Sequence, residues 1–336
     1  MEEIEKAYED LARERAVNQP RSEVFVQNEG ASNQAYVFKS MVGAYPRGNV
    51  VALRINSDVI RWDKVKIKLP VEGNKRLGFV MLFDVTNAAL LALFPDSAIS
   101  RFRVGATNAL GIKYLARHDS QVLGLVGTGW QAGGQLMGAK AVRDIQLVKV
   151  YSLAPEEQQE AFISYWGEKL QLNMKRVANI ADLMTGSDIV VTSTNSMEPT
   201  IKQDYVSKGM HITCVRHTEL PASLIESSDL VFINSKKLRP DRYSVSSKQG
   251  PSKEMEKDIK GRKDVDLTKY PELLQLIGCR EVGRTSDSQI TCFINNIGFG
   301  IQFAAAGSIL YKLAKDKGVG TPIPLDWFAQ DVRSLF

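Results

Sequence analysis

The chain has 336 residues, too many for one ordinary hydrophobic core and about right for two domains. Apolar residues make up 44% of it and charged residues 24%, an ordinary globular composition that excludes a disordered or fibrous protein. The formal net charge of +5 is spread thinly, with no basic stretch interleaved with aromatic residues. The composition therefore gives no support for a nucleic-acid partner, whereas an anionic small ligand fits it.

The cysteines and the N-terminal residues favour a reducing compartment. Cys214, Cys279 and Cys292 are odd in number and lack C-x-x-C spacing, so neither a disulfide framework nor a thiolate metal site is predicted. The first residues, Met1 to Glu5, are acidic where a signal peptide would be basic, and no apolar run approaches the length of a membrane span. We therefore predict a cytoplasmic protein with no membrane partner and no metal.

The first part of the chain is predicted to be a helix followed by an antiparallel sheet. Residues 2–17 place apolar side chains on one stripe, as an amphipathic helix does. From 24 to 94 the pattern changes to short alternating runs of β-branched and aromatic residues, broken by Gly, Asn and Pro. Such runs are typical of antiparallel strands.

A second pattern begins downstream. Residues 101–117 carry Ala, Gly and Leu at helical spacing, and 122–126 is an unbroken apolar run, as in a strand buried on both faces. Strand-like and helix-like segments then alternate as far as 230–233. The predicted fold class is therefore α/β, with a parallel, doubly wound sheet in this part. The Ser-, Lys-, Glu- and Asp-rich segment 245–270 is predicted to be a solvated surface loop, and 297–316 a further helix.

The strongest local motif is a G-x-G-x-x-A turn directly after the apolar run 122–126. Gly127 permits the tight turn, Gly129 lets the backbone approach a pyrophosphate, and Ala132 keeps the following helix close to the sheet. A second strand ending at Tyr151 completes a unit of the expected length. The turn therefore predicts a dinucleotide cofactor; the structural alternative is a glycine turn in an unrelated α/β domain.

The residues after the second strand bear on which dinucleotide binds. A carboxylate there would accept hydrogen bonds from an adenosine ribose and would repel a 2′-phosphate. Tyr151 to Pro155 contain neither a carboxylate nor an arginine. NADP and NAD are therefore both open, with NADP slightly favoured and Ser152 as the contact.

Six stretches of the chain, in family order, match the pattern of a known family: 19–21, 35–46, 101–109, 127–131, 189–194 and 283–291. They include the sequences Q-P-R, A-Y-V-F-K, R-F-R-V-G-A-T-N-A, G-T-G-W-Q and G-R-T-S-D-S-Q-I-T. Together they resemble the ornithine cyclodeaminase and mu-crystallin family of NAD(P)-dependent enzymes. The resemblance implies a Rossmann domain over 114–296, inserted in an α+β substrate and dimerisation domain made of 1–113 and 297–336, in a homodimer.

The resemblance also implies hydride transfer at an amine-bearing or imine-bearing carbon next to a carboxylate. The residues that would gather that small amino or imino acid are Arg21, Lys39 and Arg103. Their chemistry suits the task, because a guanidinium grips a carboxylate through two hydrogen bonds and a lysine beside other cations loses its proton easily. Each also has a structural alternative: Arg21 as a solvated loop residue, Lys39 as a solvent-facing strand residue, and Arg103 as a partner of acids on a helix surface. The candidate cofactor contacts are Gly127, Thr128, Gly129, Trp130, Gln131, Ala132, Ser152, Thr194 and Asn195.

The chain departs from the family pattern where the cyclodeaminases carry an acidic base. Thr218 occupies that position, between His217 and Glu219. Because cyclodeamination needs a base for its first step and imine reduction needs less, the departure favours an imine reductase or amino-acid dehydrogenase. Asn295 and Asn296 replace a second family aspartate, which argues against ornithine as substrate. Two alternatives stay open: a cyclodeaminase that uses His217 or Glu219 as its base, and a crystallin-like binding protein without catalysis.

Overall fold

Two β-sheets, joined by a long helix, make up the protein in the computed structural model, which describes residues 1–63 and 65–329. The elements of the first part, in chain order, are α1 (Glu2–Ala12), β1 (Val17–Asn18), β2 (Ser22–Gln27), β3 (Gln34–Tyr45), β4 (Val50–Trp62), β5 (Lys66–Leu69), β6 (Leu77–Asp84), β7 (Leu90–Pro95) and α2 (Asp96–Leu115). Those of the middle part are β8 (Val122–Val126), α3 (Ala132–Val142), β9 (Leu147–Tyr151), α4 (Glu156–Leu170), β10 (Met174–Arg176), α5 (Ile180–Met184), β11 (Ile189–Thr192) and β12 (His211–Cys214). The remaining ones are α6 (Ala222–Ser227), β13 (Leu230–Ile233), β14 (Asp241–Val245), α7 (Lys253–Lys260), α8 (Leu273–Ile277), β15 (Thr291–Ile294) and α9 (Gly300–Asp316).

The first sheet has the strand order β14-β2-β3-β4-β6-β7, with β1 added to β3 and β5 to β4. Its consecutive strands pair antiparallel, as the alternating pattern over 24–94 predicts. The exception is β14, which comes from late in the chain and pairs parallel with β2. The predicted Rossmann range 114–296 is therefore wrong for this segment, since Asp241–Val245 belongs to the other sheet.

The second sheet is fully parallel, in the order β10-β9-β8-β11-β12-β15-β13. The chain reverses direction across the sheet between β8 and β11, because β9 and β10 lie on one side of β8 and the later strands on the other. In doubly wound sheets a ligand binds at the carboxyl ends of the strands at this reversal. The predicted Rossmann-type sheet is confirmed.

Helix α2 connects the two sheets and contacts α3 closely. A Cβ atom on Gly105 would lie 2.1 Å from the carbonyl oxygen of Gly134, so the two helix backbones touch where neither has a side chain. Ile99 of α2 and Phe303 of α9 belong to one buried cluster under the first sheet, together with Tyr8 of α1. This packing places the carboxyl edge of the parallel sheet beside the inner face of the antiparallel one.

Two predicted elements differ from the structure. The first helix ends at Ala12 rather than continuing to 17, and Glu14 adopts a left-handed φ of 58°. The segment 245–270, predicted as a solvated loop, contains α7, whose Met255 is fully buried. The charged composition gives this helix only a weak apolar pattern. One buried apolar side chain is enough to anchor its two turns when the opposite face carries Lys and Glu.

No helix within the described residues is long and apolar enough to cross a membrane. The same residues contain no group of three or more His, Cys, Asp or Glu that could hold a metal ion. All three cysteines are free: Cys214 and Cys292 are buried and Cys279 is exposed. The cytoplasmic location stays a prediction.

Candidate active site

The glycine turn after β8 has the geometry that a pyrophosphate needs. Gly127 adopts a φ of 99°, and a Cβ atom there would lie 2.5 Å from the carbonyl oxygen of Ser193. Gly129 faces open space, with no heavy atom of the described residues within 4 Å of the place its Cβ would occupy. Ala132, which opens α3, is fully buried. A larger side chain at Gly127 would push β8 and β11 apart, whereas Gly129 leaves room for the ligand.

The other candidate cofactor contacts surround this turn at the carboxyl edge of the sheet. The Thr128 hydroxyl lies 3.1 Å from the Ser152 hydroxyl, which ties the turn to the end of β9. Thr194 follows β11, and its methyl group lies close to Gly127. Asn195 is exposed beside it. The edge thus presents open backbone and hydroxyl groups, and it fits a dinucleotide.

Trp130 forms the outer side of the turn. Its ring is half exposed, and the Arg101 guanidinium stacks over it at 3.2 Å from the ring centroid. Its indole N–H donates to the carbonyl oxygen of Ser97 at 3.3 Å. The neighbouring Gln131 has a buried Oε1 atom without a hydrogen-bond partner among the described residues. Arg101 therefore pairs with an aromatic ring.

A cavity of about 580 Å³ lies between the two sheets, next to this edge. Arg21, Lys39 and Arg103 all line it, although 82 residues of sequence separate the first from the last. They arrive there from the residue just before β2, from the middle of β3 and from α2. The structure thus brings together the three residues that the family resemblance singled out.

Arg103 is held by a hydrogen-bonded network rather than by an acid. Its guanidinium donates to Gln302 Oε1 at 3.1 Å, and its Nε atom is buried without a partner among the described residues. Gln302 is fully buried and uses its amide N–H groups on Tyr8 and Thr107, which leaves its oxygen to face Arg103. Burial lowers the pKa of Arg103 to about 10, so the group stays cationic.

Gly298 makes room for this guanidinium. A Cβ atom at Gly298 would lie 1.9 Å from an Arg103 terminal nitrogen, so any other residue would displace the side chain. The Arg103 guanidinium also lies over the ring of Phe303, at 5.0 Å from its centroid. Both contacts orient a cation toward the cavity without neutralising it.

Lys39 is the most perturbed lysine of the cavity. Its Nζ atom lies 3.2 Å from Asp58 Oδ2, and its side chain is 11% exposed. Burial, reinforced by the nearby Lys68, lowers the pKa of Lys39 to about 7, against the opposing attraction of Asp58. A lysine whose pKa lies near neutrality is able both to give and to accept a proton.

The remaining lining is strongly basic. Within the part of the chain that the structure describes, seven further cationic side chains face the same cavity: Arg54, Lys66, Lys68, Arg216, Arg239, Arg242 and Arg262. Among the described residues, Arg54 pairs with Asp96 and Arg262 pairs with Asp264, and three further carboxylates each bridge two cations. Glu23 lies between Arg21 and Arg242, Asp58 between Lys39 and Lys68, and Asp258 between Lys66 and Arg216.

Sequence reasoning missed these seven residues, but part of the signal was available. In the K-I-K run of β5, Lys66 and Lys68 are two residues apart, and in β4 the same spacing separates Arg54, Asn56 and Asp58. Alternate residues of a strand share one face. Both sets therefore lie on the same face of the sheet. A row of polar side chains within an otherwise apolar sheet indicates a ligand-binding site.

The loop after β12 does not present Glu219 to the cavity as an acidic base. The Glu219 carboxylate is fully buried and is not among the cavity-lining groups. It accepts hydrogen bonds from the backbone N–H and hydroxyl of Thr194, at 2.6 and 2.7 Å, and from the N–H groups of Val215 and Arg216. Burial raises the pKa of Glu219. The Glu219 carboxylate therefore links the chain after β11 to the chain after β12.

His217 does line the cavity, but its protonation state is unfavourable for giving a proton. Burial, together with Arg262 and Arg216, lowers the pKa of His217 to about 4. The ring is therefore neutral at neutral pH. Thr218, at the position of the family aspartate, donates to the carbonyl oxygen of Ser196 at 3.4 Å.

The two asparagines that replace the second family aspartate have structural partners. Asn295 donates to Asn108 at 2.9 Å inside the core. Asn296 lines the cavity, and its side chain accepts from two backbone N–H groups at the end of β13 and donates to the Ser235 carbonyl. These amides close the end of the parallel sheet without adding negative charge to a basic cavity.

Comparison with known proteins agrees with this arrangement. Residues 72–318 match the ornithine cyclodeaminase/mu-crystallin family, and the chain belongs to that family. It is an NAD(P)-dependent oxidoreductase that interconverts imino acids and amino acids.

Individual relatives are similar over most of their length. A Delta(1)-pyrroline-2-carboxylate reductase of Bacillus cereus is 32% identical over 270 residues, which are 77% of this chain and 79% of the relative. The structure of Thermococcus litoralis Delta(1)-pyrroline-2-carboxylate reductase in complex with NADH and L-proline gives a TM-score of 0.75 at 25% identity, covering 96% of this chain and 94% of that one. An archaeal alanine dehydrogenase dimer with bound NAD gives 0.71 at 22% identity, covering 96% and 93%.

Proposed function

We propose that this chain reduces a ketimine acid to an amino acid, with the substrate carboxylate held between Arg21 and Arg103 and the proton supplied by Lys39. The observation that carries the proposal is Arg103, which lines the cavity as a cation without a carboxylate partner among the described residues. A cation in that position is stabilised by an anionic ligand, and its planar fork suits a carboxylate.

Reduction adds a hydride to the imine carbon and a proton to its nitrogen. A bound nicotinamide supplies the hydride when present, at the carboxyl edge of the parallel sheet. The chain's own residues orient the carboxylate, exclude water and provide the proton. Lys39 is the group with a suitable pKa, since His217 is neutral and Glu219 is engaged by four hydrogen bonds.

The same residues make a cyclodeaminase the weaker alternative. That reaction begins with removal of a proton from an amine, and the loop after β12 offers Thr218 where a carboxylate is needed. A crystallin-like protein without catalysis would have no use for a buried lysine with a pKa near neutrality.

A direct assay tests the proposal. Cyclic imino acids and linear ones, formed from a 2-oxo acid and an amine, are offered with NADPH and with NADH while nicotinamide absorbance is followed. We expect consumption of reduced cofactor that depends on the imino acid. Arg103→Lys keeps the charge but loses the bidentate grip, so its KM for imino acid should rise by about tenfold with kcat less affected. Ammonia release from a diamino acid without net cofactor turnover would contradict the proposal and favour the cyclodeaminase.

We also propose that the chain is a homodimer, formed through the first sheet. Val24 and Val26 on β2 lie directly opposite Tyr243 and Val245 on β14, and all four are exposed, by 40 to 67%. An apolar patch on an edge strand invites pairing with another surface. A mass measurement in solution tests this: we expect a dimer, and Val26→Lys combined with Tyr243→Lys should convert it to monomer. A wild-type monomer at micromolar concentration would contradict it.

A further inference from the structure

The cavity contains more positive charge than one substrate carboxylate requires. Arg21 and Arg103 are enough to hold that group, yet Lys66, Lys68 and Arg216 also face the same space. Among the described residues, only two carboxylates, Asp58 and Asp258, accompany these three cations, and Asp58 is shared with Lys39. Asp258 therefore leaves one net positive charge between Lys66 and Arg216, and Asp58 leaves a further one when Lys39 is protonated.

These three cations come from both halves of the molecule. Lys66 and Lys68 are on β5 of the antiparallel sheet, while Arg216 follows β12 of the parallel sheet. Asp258 of α7 holds Lys66 at 2.6 Å and Arg216 at 3.2 Å, and it also accepts from the Trp62 indole at 2.9 Å. The helix therefore sets a lysine and an arginine side by side at the wall of the cavity.

The exposure of these three side chains shows that the contacts with Asp58 and Asp258 cover only part of each cation. The side chains of Lys66, Lys68 and Arg216 are 27%, 35% and 23% exposed, against 3% for Asp58 and 16% for Asp258. The carboxylates thus lie behind the cations, and the cations face the cavity. Gathering like charges in a partly buried space is unfavourable unless an anion joins them, so the arrangement is typical of an anion subsite.

We propose that the substrate carries a second anionic group, a side-chain carboxylate or phosphate, bound by Lys66, Lys68 and Arg216 while Arg21 and Arg103 hold the carboxylate next to the imine. This assignment rests on the proposed function and specifies its substrate class as acidic imino and amino acids. It also gives α7 a role, because Asp258 positions two of the three cations.

Binding of simple acids tests the subsite without catalysis. Succinate and its monoamide succinamate have nearly the same shape and differ by one charge, and both are titrated calorimetrically into the full chain with NADPH present. We expect succinate to bind about tenfold or more tightly, the effect of one charged hydrogen-bonding group. Equal affinity for the two ligands would overturn the proposal.

Matched variants locate the effect. Arg216→Gln removes one cation while Lys66 still balances Asp258, and it should bring the affinity for succinate close to that for succinamate. Lys269→Met removes the same charge from an exposed pair with Glu226 and should leave both affinities unchanged. An equal loss in both variants would show a general charge effect and would contradict a subsite. If Arg216→Gln does not fold, the affinities of Lys66→Met for succinate and succinamate test the same subsite.

A kinetic experiment distinguishes an incorrect subsite from an incorrect proposed function. Oxidation of aspartate, glutamate and O-phosphoserine is compared with that of asparagine and glutamine, each with NADP+ and NAD+. Preference for the acids, by about tenfold or more in kcat/KM, supports the subsite, and the phosphate compound decides which anion it prefers. If the amides are oxidised as well as the acids, the subsite is wrong and the function stands. If nothing is oxidised but succinate binds selectively, the function is wrong and the subsite stands.

Discussion

The glycine turn and the basic cavity are built from the chain in different ways. The turn is one continuous stretch, from Val122 to Ala132, in which a strand, a tight bend and a helix follow each other. The cavity is assembled from β2, β3, β4, β5, α2, the loop after β12 and the α7 region. Local sequence is therefore enough to predict the turn, whereas the role of each side chain of the cavity depends on residues that are distant in sequence.

The two regions also differ in electrostatics. The turn offers backbone N–H groups, hydroxyls and open space at Gly129. The cavity offers full charges whose pKa values shift because they are crowded together, as for Lys39 and Arg103. A change in the turn should consequently alter cofactor affinity, and a change in the cavity should alter chemistry and substrate affinity.

The largest effect is expected for Lys39→Met. The substitution keeps the apolar stem and removes the proton, so turnover should fall by a factor on the order of hundreds or more. Dissociation constants for NADPH and NADH, measured by nicotinamide fluorescence, should stay within about twofold of the wild type because the turn is untouched.

This variant also tests whether the two regions are separable. If Lys39→Met turns over imino acid at the wild-type rate with saturating substrate, Lys39 neither gives nor accepts the proton, which must then come from water or from the loop holding His217. If cofactor binding weakens as well, the turn and the cavity are coupled.

The sequence predicted most of the parallel sheet, and the reason is local. The run 122–126 is apolar throughout because β8 is buried on both faces, and the spacing of Gly127 and Gly129 reflects a bend and an open approach within a few residues. Lys39 and Arg103 were found only through the family resemblance, since nothing local distinguishes them from surface residues.

The parts that the sequence did not predict depend on long-range contacts. β14 pairs with β2 across more than two hundred residues, and its mostly exposed side chains give a weak strand pattern. Asp258 looks like one charge among many in a solvated stretch. Its role follows from Trp62, Lys66 and Arg216, which only the folded chain brings to it.

The next largest effect is expected in the turn itself. Gly127→Ala places a Cβ atom against the Ser193 carbonyl and forces a φ of 99° on a residue that disfavours it, so NADPH should bind about tenfold to a hundredfold more weakly. Gly186→Ala is the matched control, because Gly186 also has a positive φ, of 67°, but none of the described residues has a heavy atom within 4 Å of its Cβ position. If the two variants bind NADPH equally well, the strained turn does not support the cofactor.

The pH dependence should identify the cavity lysine. Reduction needs protonated Lys39, whose pKa is lowered to about 7, so kcat/KM should be level below that pH and fall about tenfold per unit above it. Oxidation needs the neutral form and should show the reverse. Lys68→Met removes a neighbouring cation that lowers this pKa and should move the break to higher pH, whereas Lys269→Met should not. A break that stays in place in Lys68→Met would assign it to another group.

The smallest effect concerns cofactor choice at the end of β9. The Ser152 hydroxyl accepts from Thr128 and from the Ala154 backbone, and the stretch from Tyr151 to Pro155 contains no carboxylate. Ser152→Asp puts a negative charge where a 2′-phosphate would lie, so the ratio of the NADPH to the NADH dissociation constant should rise by about tenfold, or ~1.4 kcal/mol. Ser152→Asn has similar size without the charge and should change the ratio much less. If Ser152→Asp leaves the ratio as it was, the 2′-phosphate is not recognised at this position, and the preference for NADPH must be abandoned or placed elsewhere on the edge of the sheet.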